Sequence, residues 1–396
     1  MKTRFVVLGF GLPDELKDEV LLGDPGMPTQ TFKFADNLKE SLIQNHSEIF
    51  LVSTEPVMNY PANSNAFFKF KRFTDSSGVK GIVLPFINLF ILKHLTRFLS
   101  GLALLSNILK KSKFDAVIVH GIHSPFLVIA CLMKVFFKIK IICIVTDPPV
   151  TPKSSGCVEI QARRLDRFII FYFLKKFDGL IVLSELFIKD NNLSLPYIVL
   201  DGFCDNEKFH NDNVDFSDNE KFTFAYAGGL SEEYGVKRLV QAAVQLENIE
   251  LFLYGKGPLS EYLTEMSSSF SNINYMGFTP PEKIACTLLK ADCLVNPRPS
   301  SDSFVRYSFP SKVIEYLALG VPLLTTHLPS MSDDYLSHVL VINDETVSGI
   351  VNSLRDISSM SKLELNSISK RGQAFVFETR SCTAQGLKIN QFFNSI

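Results

Sequence analysis

Apolar and polar positions follow two alternating patterns along this chain. Short, almost continuously apolar runs such as Arg4–Gly9, Asp115–His120 and Ile139–Val145 alternate with longer stretches whose apolar residues recur every three to four positions. The first pattern is typical of buried strands in a parallel sheet, and the second of amphipathic helices. The alternation predicts an α/β fold. The Gly- and Pro-rich segment Leu12–Gln30 interrupts it and is predicted to be a loop.

The alternation occurs twice, on either side of the polar segment Asp205–Glu220. A chain of 396 residues is too long for one ordinary core, and such a change in composition is typical of a linker. Ligands of doubly wound sheets bind at the carboxyl ends of the strands, so two such domains are expected to face each other across a cleft. The expected division is a Rossmann-like domain over 1–205, a linker over 206–220, a second Rossmann-like domain over 221–375, and a C-terminal helix over 376–396 that returns to the first domain.

The stretch Asn296–Pro322 (NPRPSSDSFVRYSFPSKVIEYLALGVP) combines a strand end, a polar loop and a short helix. Ser311 is predicted to be the N-cap of this helix, since its hydroxyl can accept a hydrogen bond from a first-turn N–H group. Gly320 is predicted to end the helix in the left-handed conformation, and Pro322 prevents its continuation.

This short helix carries charges suited to a nucleotide. The N–H groups at its start, together with Lys312, Arg298 and Arg306, would attract a diphosphate. Glu315 lies one turn further on and would accept hydrogen bonds from ribose hydroxyl groups. The alternative is an ordinary amphipathic helix with a solvated Lys/Glu pair.

Three other predicted strands of the second half also end in residues suited to a nucleotide. Gly228 and Gly229 offer backbone N–H groups to an anion, Lys256 follows the next strand, and Phe278 follows another at a position where a backbone can pair with a base. Each signal alone is weak, because glycines at strand ends usually serve tight packing and a lone lysine is usually solvated. Together, at the carboxyl ends of strands in one sheet, they indicate a nucleotide site.

The order GGL…GKGP…MGF…NPR…YSFPSKVIEYLALGVP resembles the family 4 retaining glycosyltransferases, and most closely their bacterial surface-polysaccharide (O-antigen and capsule) branch. The resemblance is most specific over Phe224–Ser330 and continues more loosely through DAVIVHG, VTDPP, DGLIVLSE and VLDGFCD of the first half. It implies the GT-B fold, with an acceptor-binding first domain and a donor-binding second domain. It also implies metal-independent transfer of a sugar from a nucleotide-sugar, in this family commonly a UDP-sugar, with retention of configuration.

The resemblance carries over to individual residues with some departures. Glu315 matches the second Glu of the family's E-x7-E motif, which binds the donor ribose, while Tyr307 occupies the position of the first. Gly229 and Tyr234 stand where many members have the Arg and Lys that bind the diphosphate. Basic residues of this chain are therefore expected to replace them. The expected donor-binding set is Gly228, Gly229, Lys256, Phe278, Arg298, Arg306, Ser311, Lys312 and Glu315.

In the first half, the resemblance places His120, at the end of DAVIVH, near the donor sugar. The alternative is a core histidine with satisfied hydrogen bonds, and His123 competes for the same role. Asp147 in VTDPP is an expected contact of the acceptor hydroxyl, although Asp before Pro is also a common turn residue. The expected catalytic residues are thus His120, Lys312 and Glu315, with His123 and Asp147 on the acceptor side and no metal ligand.

The overall composition limits the partners. A net charge of −1 gives no field for nucleic acid. The seven cysteines lack metal-ligand spacing. Five of them lie in apolar or strand-like surroundings and indicate small core residues in a reducing compartment: Cys131, Cys143, Cys204, Cys286 and Cys293. The N-terminus is predicted to be a first strand and not a signal peptide, and no uncharged apolar run reaches the roughly 18–20 residues of a membrane span.

Two segments, Phe67–Phe73 (FFKFKRF) and Arg163–Phe177 (RRLDRFIIFYFLKKF), mix aromatic and basic residues. Such a mixture suits a surface that rests on anionic lipid headgroups, and the alternative is a strand and a buried helix whose lysines extend to solvent. Together with the resemblance, these segments suggest a cytoplasmic protein at the inner face of the membrane that acts on a polyprenyl-linked glycan or an oligosaccharide.

Two other functions stay open from the sequence. A sugar-nucleotide epimerase or hydrolase of the same fold would need paired carboxylates, which the sequence does not indicate. A non-catalytic partner subunit would keep the fold without the donor chemistry, and the replaced Glu, Arg and Lys positions are compatible with that.

Overall fold

The computed structural model divides into two compact units, Met1–Asp201 with Cys382–Ile396, and Gly202–Ser381. Both units are α/β with largely parallel sheets, so the predicted fold class is confirmed. The predicted linker 206–220 lies outside the described residues. The structure describes residues 2–24, 30–146, 157–204, 221–301 and 303–396.

The first unit contains an eight-stranded sheet and a separate two-stranded ribbon. The strands are β1 (Arg4–Gly9), β2 (Glu48–Ser53), β3 (Phe67–Phe68), β4 (Lys71–Thr74), β5 (Lys80–Val83), β6 (Phe86–Ile87), β7 (Ala116–His120), β8 (Lys140–Val145), β9 (Gly179–Val182) and β10 (Tyr197–Val199). The order in the sheet is β10-β9-β8-β7-β1-β2-β5-β4, and β3 pairs with β6. All pairs in the sheet are parallel except β4 against β5.

Helices connect these strands. They are α1 (Asp14–Gly23), α2 (Gln30–Gln44), α3 (Phe90–Lys111), α4 (Ser124–Phe137), α5 (Cys157–Leu174) and α6 (Glu185–Asp190). The predicted loop Leu12–Gln30 was wrong, because α1 occupies much of it. Asp14 and Glu15 stand in the first turn, where acidic side chains favour a helix, and Val20 is buried.

The second unit is a six-stranded parallel sheet with the order β13-β12-β11-β14-β15-β16. Its strands are β11 (Phe222–Ala227), β12 (Ile249–Tyr254), β13 (Ile273–Gly277), β14 (Cys293–Asn296), β15 (Leu323–Thr326) and β16 (Leu340–Ile342). Its helices are α7 (Val236–Ala243), α8 (Ser260–Ser269), α9 (Pro281–Leu288), α10 (Ser311–Ala318), α11 (Val347–Ser358) and α12 (Lys362–Thr379).

The strand order reverses once in each sheet. In the second unit, β12 and β13 lie on one side of β11, while β14 and the strands after it lie on the other. In the first unit, β1 and β7 are the neighbours between which the order reverses. Doubly wound sheets bind ligands where the order reverses, at the carboxyl ends of the two strands. The topology therefore predicts ligand binding at the carboxyl ends of β11 and β14 in the second unit, and of β1 and β7 in the first.

The chain ends in α13 (Cys382–Ser395), which packs on α2 of the first unit. The ring of Phe393 meets that of Phe5 edge-on, with 5.3 Å between centroids. Lys140 Nζ donates to the carbonyl oxygen of Ile396 at 2.7 Å and lies 4.8 Å from the Phe393 ring centroid. The chain thus returns to the first unit at Cys382, whereas the sequence interpretation set this boundary at residue 376.

Replacing Gly386 by Val is expected to lower the free energy of unfolding by about 1–3 kcal/mol. A β-carbon at Gly386 would lie 2.0 Å from the carbonyl oxygen of Ser41, so α13 would have to move away from α2. Urea unfolding followed by circular dichroism measures the change. The matched control is Leu387→Ala at the exposed neighbouring position, with an expected change within about 0.5 kcal/mol. Equal losses in the two variants would contradict this packing.

Candidate functional site

The structure brings the four strand ends of the second unit together at one edge of the sheet. Phe278 follows β13, Lys256 follows β12, the Gly228-Gly229 pair follows β11 and Arg298 follows β14. These strands are consecutive neighbours in the sheet. The Gly pair and Arg298 therefore lie on either side of the point where the strand order reverses, which is where such sheets bind ligands.

Glycines permit the close approach of the turns at this edge. A β-carbon at Gly255 would lie 1.9 Å from the carbonyl oxygen of Gly228. The N–H of Gly228 donates to the carbonyl oxygen of Tyr254 at 2.9 Å. The expectation that both glycines offer an N–H group to an anion was therefore wrong for Gly228, because its N–H is used within the sheet. The N–H of Gly229 has no acceptor among the described residues.

The ammonium group of Lys312 lies directly over Gly228. A β-carbon at Gly228 would come within 1.6 Å of Lys312 Nζ, so only glycine leaves room for it. Lys312 Nζ donates to the hydroxyl oxygen of Tyr226 at 3.1 Å, and this hydroxyl donates to the carbonyl oxygen of Gly229 at 2.8 Å. Tyr226 is fully buried in β11. The buried tyrosine thus holds the lysine against the Gly228-Gly229 turn.

A second tyrosine joins Lys312 to Arg298. The guanidinium carbon of Arg298 lies 4.4 Å from the ring centroid of Tyr234, and Lys312 Nζ lies 5.6 Å from the same centroid. Cations are attracted to the faces of aromatic rings, which makes this arrangement of two cations tolerable. Tyr234 is the residue for which the resemblance expects a lysine. Here it positions two other cations instead.

The pKa of Lys312 reflects its surroundings. This pKa is lowered from 10.5 to about 8, mainly by burial; the charge of Glu315 opposes the shift, and the neighbouring charge of Arg298 adds to it. Desolvation disfavours the charged ammonium, and an anion placed beside it would restore the charge. An added anion is therefore favoured at this position.

The helix α10 begins at Ser311, with Pro310 as its N-cap in an extended conformation and no side-chain cap. The prediction that Ser311 is the N-cap was therefore wrong, and Ser311 is the first helical residue. Gly320 follows the helix with a φ of 70°, as predicted. The Tyr316 hydroxyl accepts from the N–H of Ala227 at 2.8 Å and donates to its carbonyl oxygen at 2.9 Å. This contact ties α10, with Lys312 and Glu315, to the end of β11.

The loop that carries Arg298 is held by groups that the sequence did not indicate. The backbone N–H of Ser300 lies 3.1 Å from each carboxylate oxygen of Glu345, and the Thr326 hydroxyl donates to the carbonyl oxygen of Arg298. Glu345 lies in a polar turn after β16, where no motif singles it out. These contacts fix the backbone on both sides of residue 299.

The remaining predicted donor residues lie at the margins of this edge. Lys256 is exposed and its Nζ lies 4.7 Å from the ring centroid of Phe278, which is 56% exposed. The ring of Phe278 thus remains partly exposed as an aromatic surface at the end of β13. Arg306 is exposed at the end of a short 3₁₀ turn, Ser303–Arg306, and Tyr307 follows it.

In the first unit, His120 is fully buried at the end of β7, next to β1. Its ring stacks on Phe34 with 5.2 Å between centroids. Its Nδ1 has no hydrogen-bond partner in the part of the chain that the structure describes. Burial lowers the pKa of His120 to about 4, so the ring is neutral at physiological pH. Among the described residues, the hydrogen-bonding capacity of this buried ring is therefore not fully used.

His123 is the N-cap residue of α4 and lies in a cationic environment. Its ring centroid is 5.1 Å from that of His94. Burial and, to a smaller extent, Arg97 hold the pKa of His123 well below its usual value. Asp147, the other predicted acceptor-side residue, lies outside the described residues.

Among the described residues, no group of three His, Cys, Asp or Glu side chains is placed to hold a metal ion. Cys286 is exposed, so the prediction that it is a core residue was wrong. The described free cysteines that are buried are Cys131, Cys143, Cys204, Cys293 and Cys382.

Comparisons with known proteins match either the second half of the chain or almost the whole of it. Residues 207–374 match a family model described as Glycosyl transferases group 1. No curated protein sequence matches the chain. Among solved structures, sucrose-phosphate synthase of Thermosynechococcus elongatus is similar with a TM-score of 0.67 and 14% identity, over 100% of this chain and 99% of the other.

Two further solved structures cover almost the whole of both chains. The lipopolysaccharide outer core galactosyltransferase WaaB in its apo form has a TM-score of 0.65 and 14% identity, over 99% of each chain. HepE of Anabaena, in complex with UDP, has a TM-score of 0.63 and 13% identity, over 100% of each chain. Identities this low show a shared fold, which is the GT-B fold.

The titration of Lys312 provides a test of the site's electrostatics. Competitive acetylation is expected to show a midpoint near pH 8 for Lys312, because burial disfavours its charged form. Arg298→Gln removes a neighbouring positive charge and is expected to raise the midpoint. The matched control, Lys256→Gln on the next strand end, is expected to leave it unchanged. A midpoint close to 10.5 in the unmodified protein would contradict the burial of this lysine.

Proposed function

We propose, from the group 1 glycosyltransferase domain carried by residues 207–374, that the protein is a retaining, hexosyltransferase-type glycosyltransferase. Its donor is a nucleotide-sugar, for which UDP-sugars are the first candidates. Its acceptor is a hydroxyl group of a lipid-linked glycan or an oligosaccharide in surface polysaccharide synthesis, as in O-antigen or capsule formation.

The observation that carries the proposal is the pair of cations at the point where the strand order reverses. Lys312 lies over Gly228, and Arg298 shares the ring of Tyr234 with it. The helix α10 begins at Ser311, directly before Lys312, so the start of this helix adjoins the lysine along the chain. A diphosphate at this point would meet two positive charges and a helix N-terminus. That supports Lys312 and Arg298 as the groups that bind it.

The other parts of a nucleotide-sugar have candidate partners nearby. Glu315 lies one turn beyond Lys312 on α10 and is assigned the ribose hydroxyl groups. Phe278 lies two strands away from the Gly228-Gly229 turn, and its exposed ring is assigned the base. Lys256, stacked on Phe278, is assigned an outer phosphate or the base edge.

The proposed chemistry needs little from the protein beyond charge and position. The acceptor oxygen forms a bond to the anomeric carbon on the face from which the diphosphate leaves. The bond between that carbon and the diphosphate oxygen breaks, and the acceptor proton passes to the departing diphosphate. Lys312 and Arg298 stabilise the negative charge that grows on the leaving group. We assign this role to them in place of a metal ion.

His120 is proposed to act as a neutral hydrogen-bonding group near the transferred sugar. Its low pKa excludes a permanent positive charge at physiological pH. Its Nδ1, which has no hydrogen-bond partner among the described residues, could donate or accept a hydrogen bond depending on the tautomer. Asp147 and His123 keep their proposed places on the acceptor side.

We also propose that the protein works in the cytoplasm at the inner face of the cell membrane, where lipid-linked glycans are assembled. In the described part of the chain, no helix combines the length and the apolarity that a bilayer span requires. The basic and aromatic segments of the first unit support attachment to the membrane surface.

Transfer of radiolabelled sugar from a panel of UDP-sugars to a polyprenyl-linked or soluble oligosaccharide acceptor tests the proposal. Lys312→Ala and Glu315→Ala are each expected to lower the rate by about 10²–10³-fold, since each removes a charged contact to the donor. Because both substitutions remove a contact to the donor, calorimetry is expected to show weaker UDP binding in each variant as well.

The matched control for Lys312→Ala is Lys283→Ala on the exposed surface of α9, which is expected to keep full activity. Absence of transfer and of UDP binding in the unmodified protein would favour a non-catalytic homologue. Hydrolysis of UDP-sugar at equal rates with and without acceptor would favour a hydrolase.

The pH dependence of UDP binding follows from the pKa of Lys312. The side chain is charged below about pH 8 and neutral above it, so the affinity for UDP is expected to fall as the pH rises from 8 towards 10. The decrease is at most about tenfold per pH unit, as for the loss of one proton. Calorimetry across this range measures it. In Lys312→Ala, the affinity is expected to be low and independent of pH in the same range; a persisting step would assign the titration to another group.

A further inference from the structure

One face of α3 exposes apolar side chains that no other element of the described chain covers. Leu92, Leu95 and Leu99 are all exposed. Their spacing of three and four positions places them along one stripe of the helix. The helix contains no acidic residue. An uninterrupted apolar stripe on a helix surface is uncommon in a protein that meets only water.

The stripe on α3 continues onto the β3–β6 ribbon. A groove of about 340 Å³ between the two is lined by Leu99 together with Phe67, Phe68 and Phe86. Phe67 is 72% exposed beside this groove. Exposed Lys69 and Arg72 follow it in the chain, and the guanidinium carbon of Arg72 lies 5.7 Å from the ring centroid of Phe70. Apolar and basic side chains are therefore mixed on one surface.

The helix α5 has a stripe with the same spacing. It consists of Leu165, Phe168 and Tyr172, and Phe168 is 67% exposed. Exposed arginines at 163, 164 and 167 are interleaved with it. The helices α3 and α5 both pack against α4, so the two stripes belong to one helical layer of the first unit.

The charge of this part of the chain differs from the whole. Residues 85–177 contain fourteen lysines and arginines against four acidic residues, in a chain whose net charge is −1. A second copy of the chain would bring the same positive charge against itself. An anionic surface with an apolar interior is complementary to both properties, and an anionic bilayer has that combination.

We infer that the stripes of α3 and α5 and the β3–β6 ribbon form a membrane-docking face that binds anionic lipid bilayers. The exposed Leu and Phe side chains enter the interfacial region, and the arginines and lysines around them contact the headgroups. The face extends the proposed function by giving a lipid-linked acceptor a defined side of the first unit from which to approach.

Flotation with vesicles of equal parts phosphatidylglycerol and phosphatidylcholine tests the inference on the full chain. Phe67→Gln/Leu95→Gln is expected to weaken partitioning about tenfold, because two large apolar groups are removed from the interface. Arg163→Gln/Arg164→Gln/Arg167→Gln is expected to weaken it on the order of a hundredfold at low salt, and high salt is expected to reduce this difference. The matched control is Leu22→Gln/Leu363→Gln, since both residues are 82% exposed and lie elsewhere; its partitioning is expected to equal that of the unmodified protein.

Several results would overturn the inference. They are no flotation of the unmodified protein, equal flotation with phosphatidylcholine alone, or equal losses in the control and the docking-face variants. A dimer that Phe67→Gln/Leu95→Gln converts to a monomer without affecting flotation would assign the face to a second copy. Sugar transfer to a water-soluble acceptor without vesicles is expected to be unchanged in all variants. A protein that binds vesicles but transfers no sugar contradicts the proposed function alone.

Discussion

The contact between Lys312 and the end of β11 governs the geometry of the second unit's candidate site. A cation can lie over the glycine pair because Gly228 has no side chain and because the buried hydroxyl of Tyr226 accepts a hydrogen bond from Lys312 Nζ. The same helix is anchored a turn later by Tyr316. Strand, turn and helix are thus joined through polar contacts whose members are largely removed from water, and such contacts fix one geometry because alternatives leave polar groups unpaired.

Much of this unit could be predicted from the sequence. Its strands are nearly continuous apolar runs, and a buried parallel strand requires little else. The four strand ends could be grouped because parallel strands present their carboxyl ends at one edge. What the pattern could not supply was the partner of each polar group. Tyr226 is one aromatic residue in an apolar strand, and only the folded chain places its hydroxyl beside Lys312. Glu345 lies in a turn without a motif, and only the folded chain places its carboxylate beside the N–H of Ser300.

The first unit was harder to predict, for related reasons. The segment before α2 contains enough Gly and Pro to suggest a loop, yet the acidic first turn and one buried valine favour α1. The segment Phe67–Phe73 reads as one strand, but its two halves pair with different partners, β6 and β5. Strand pairing depends on residues far apart in sequence, so local patterns do not determine it. In the second unit, the predicted start of α10 at Ser311 differs by a single residue, which is the usual uncertainty of helix ends.

The low pKa of Lys312 also concerns the stability of the fold. In the unfolded chain this lysine binds its proton up to about pH 10.5, whereas in the folded unit it does so only up to about pH 8. Below pH 8 the folded state therefore carries an unfavourable desolvated charge, and stability rises as the pH increases from 8 to 10.5. A neutral side chain at this position would avoid this desolvation penalty. An anionic ligand that binds beside Lys312 in the folded unit would offset this penalty and stabilise the fold.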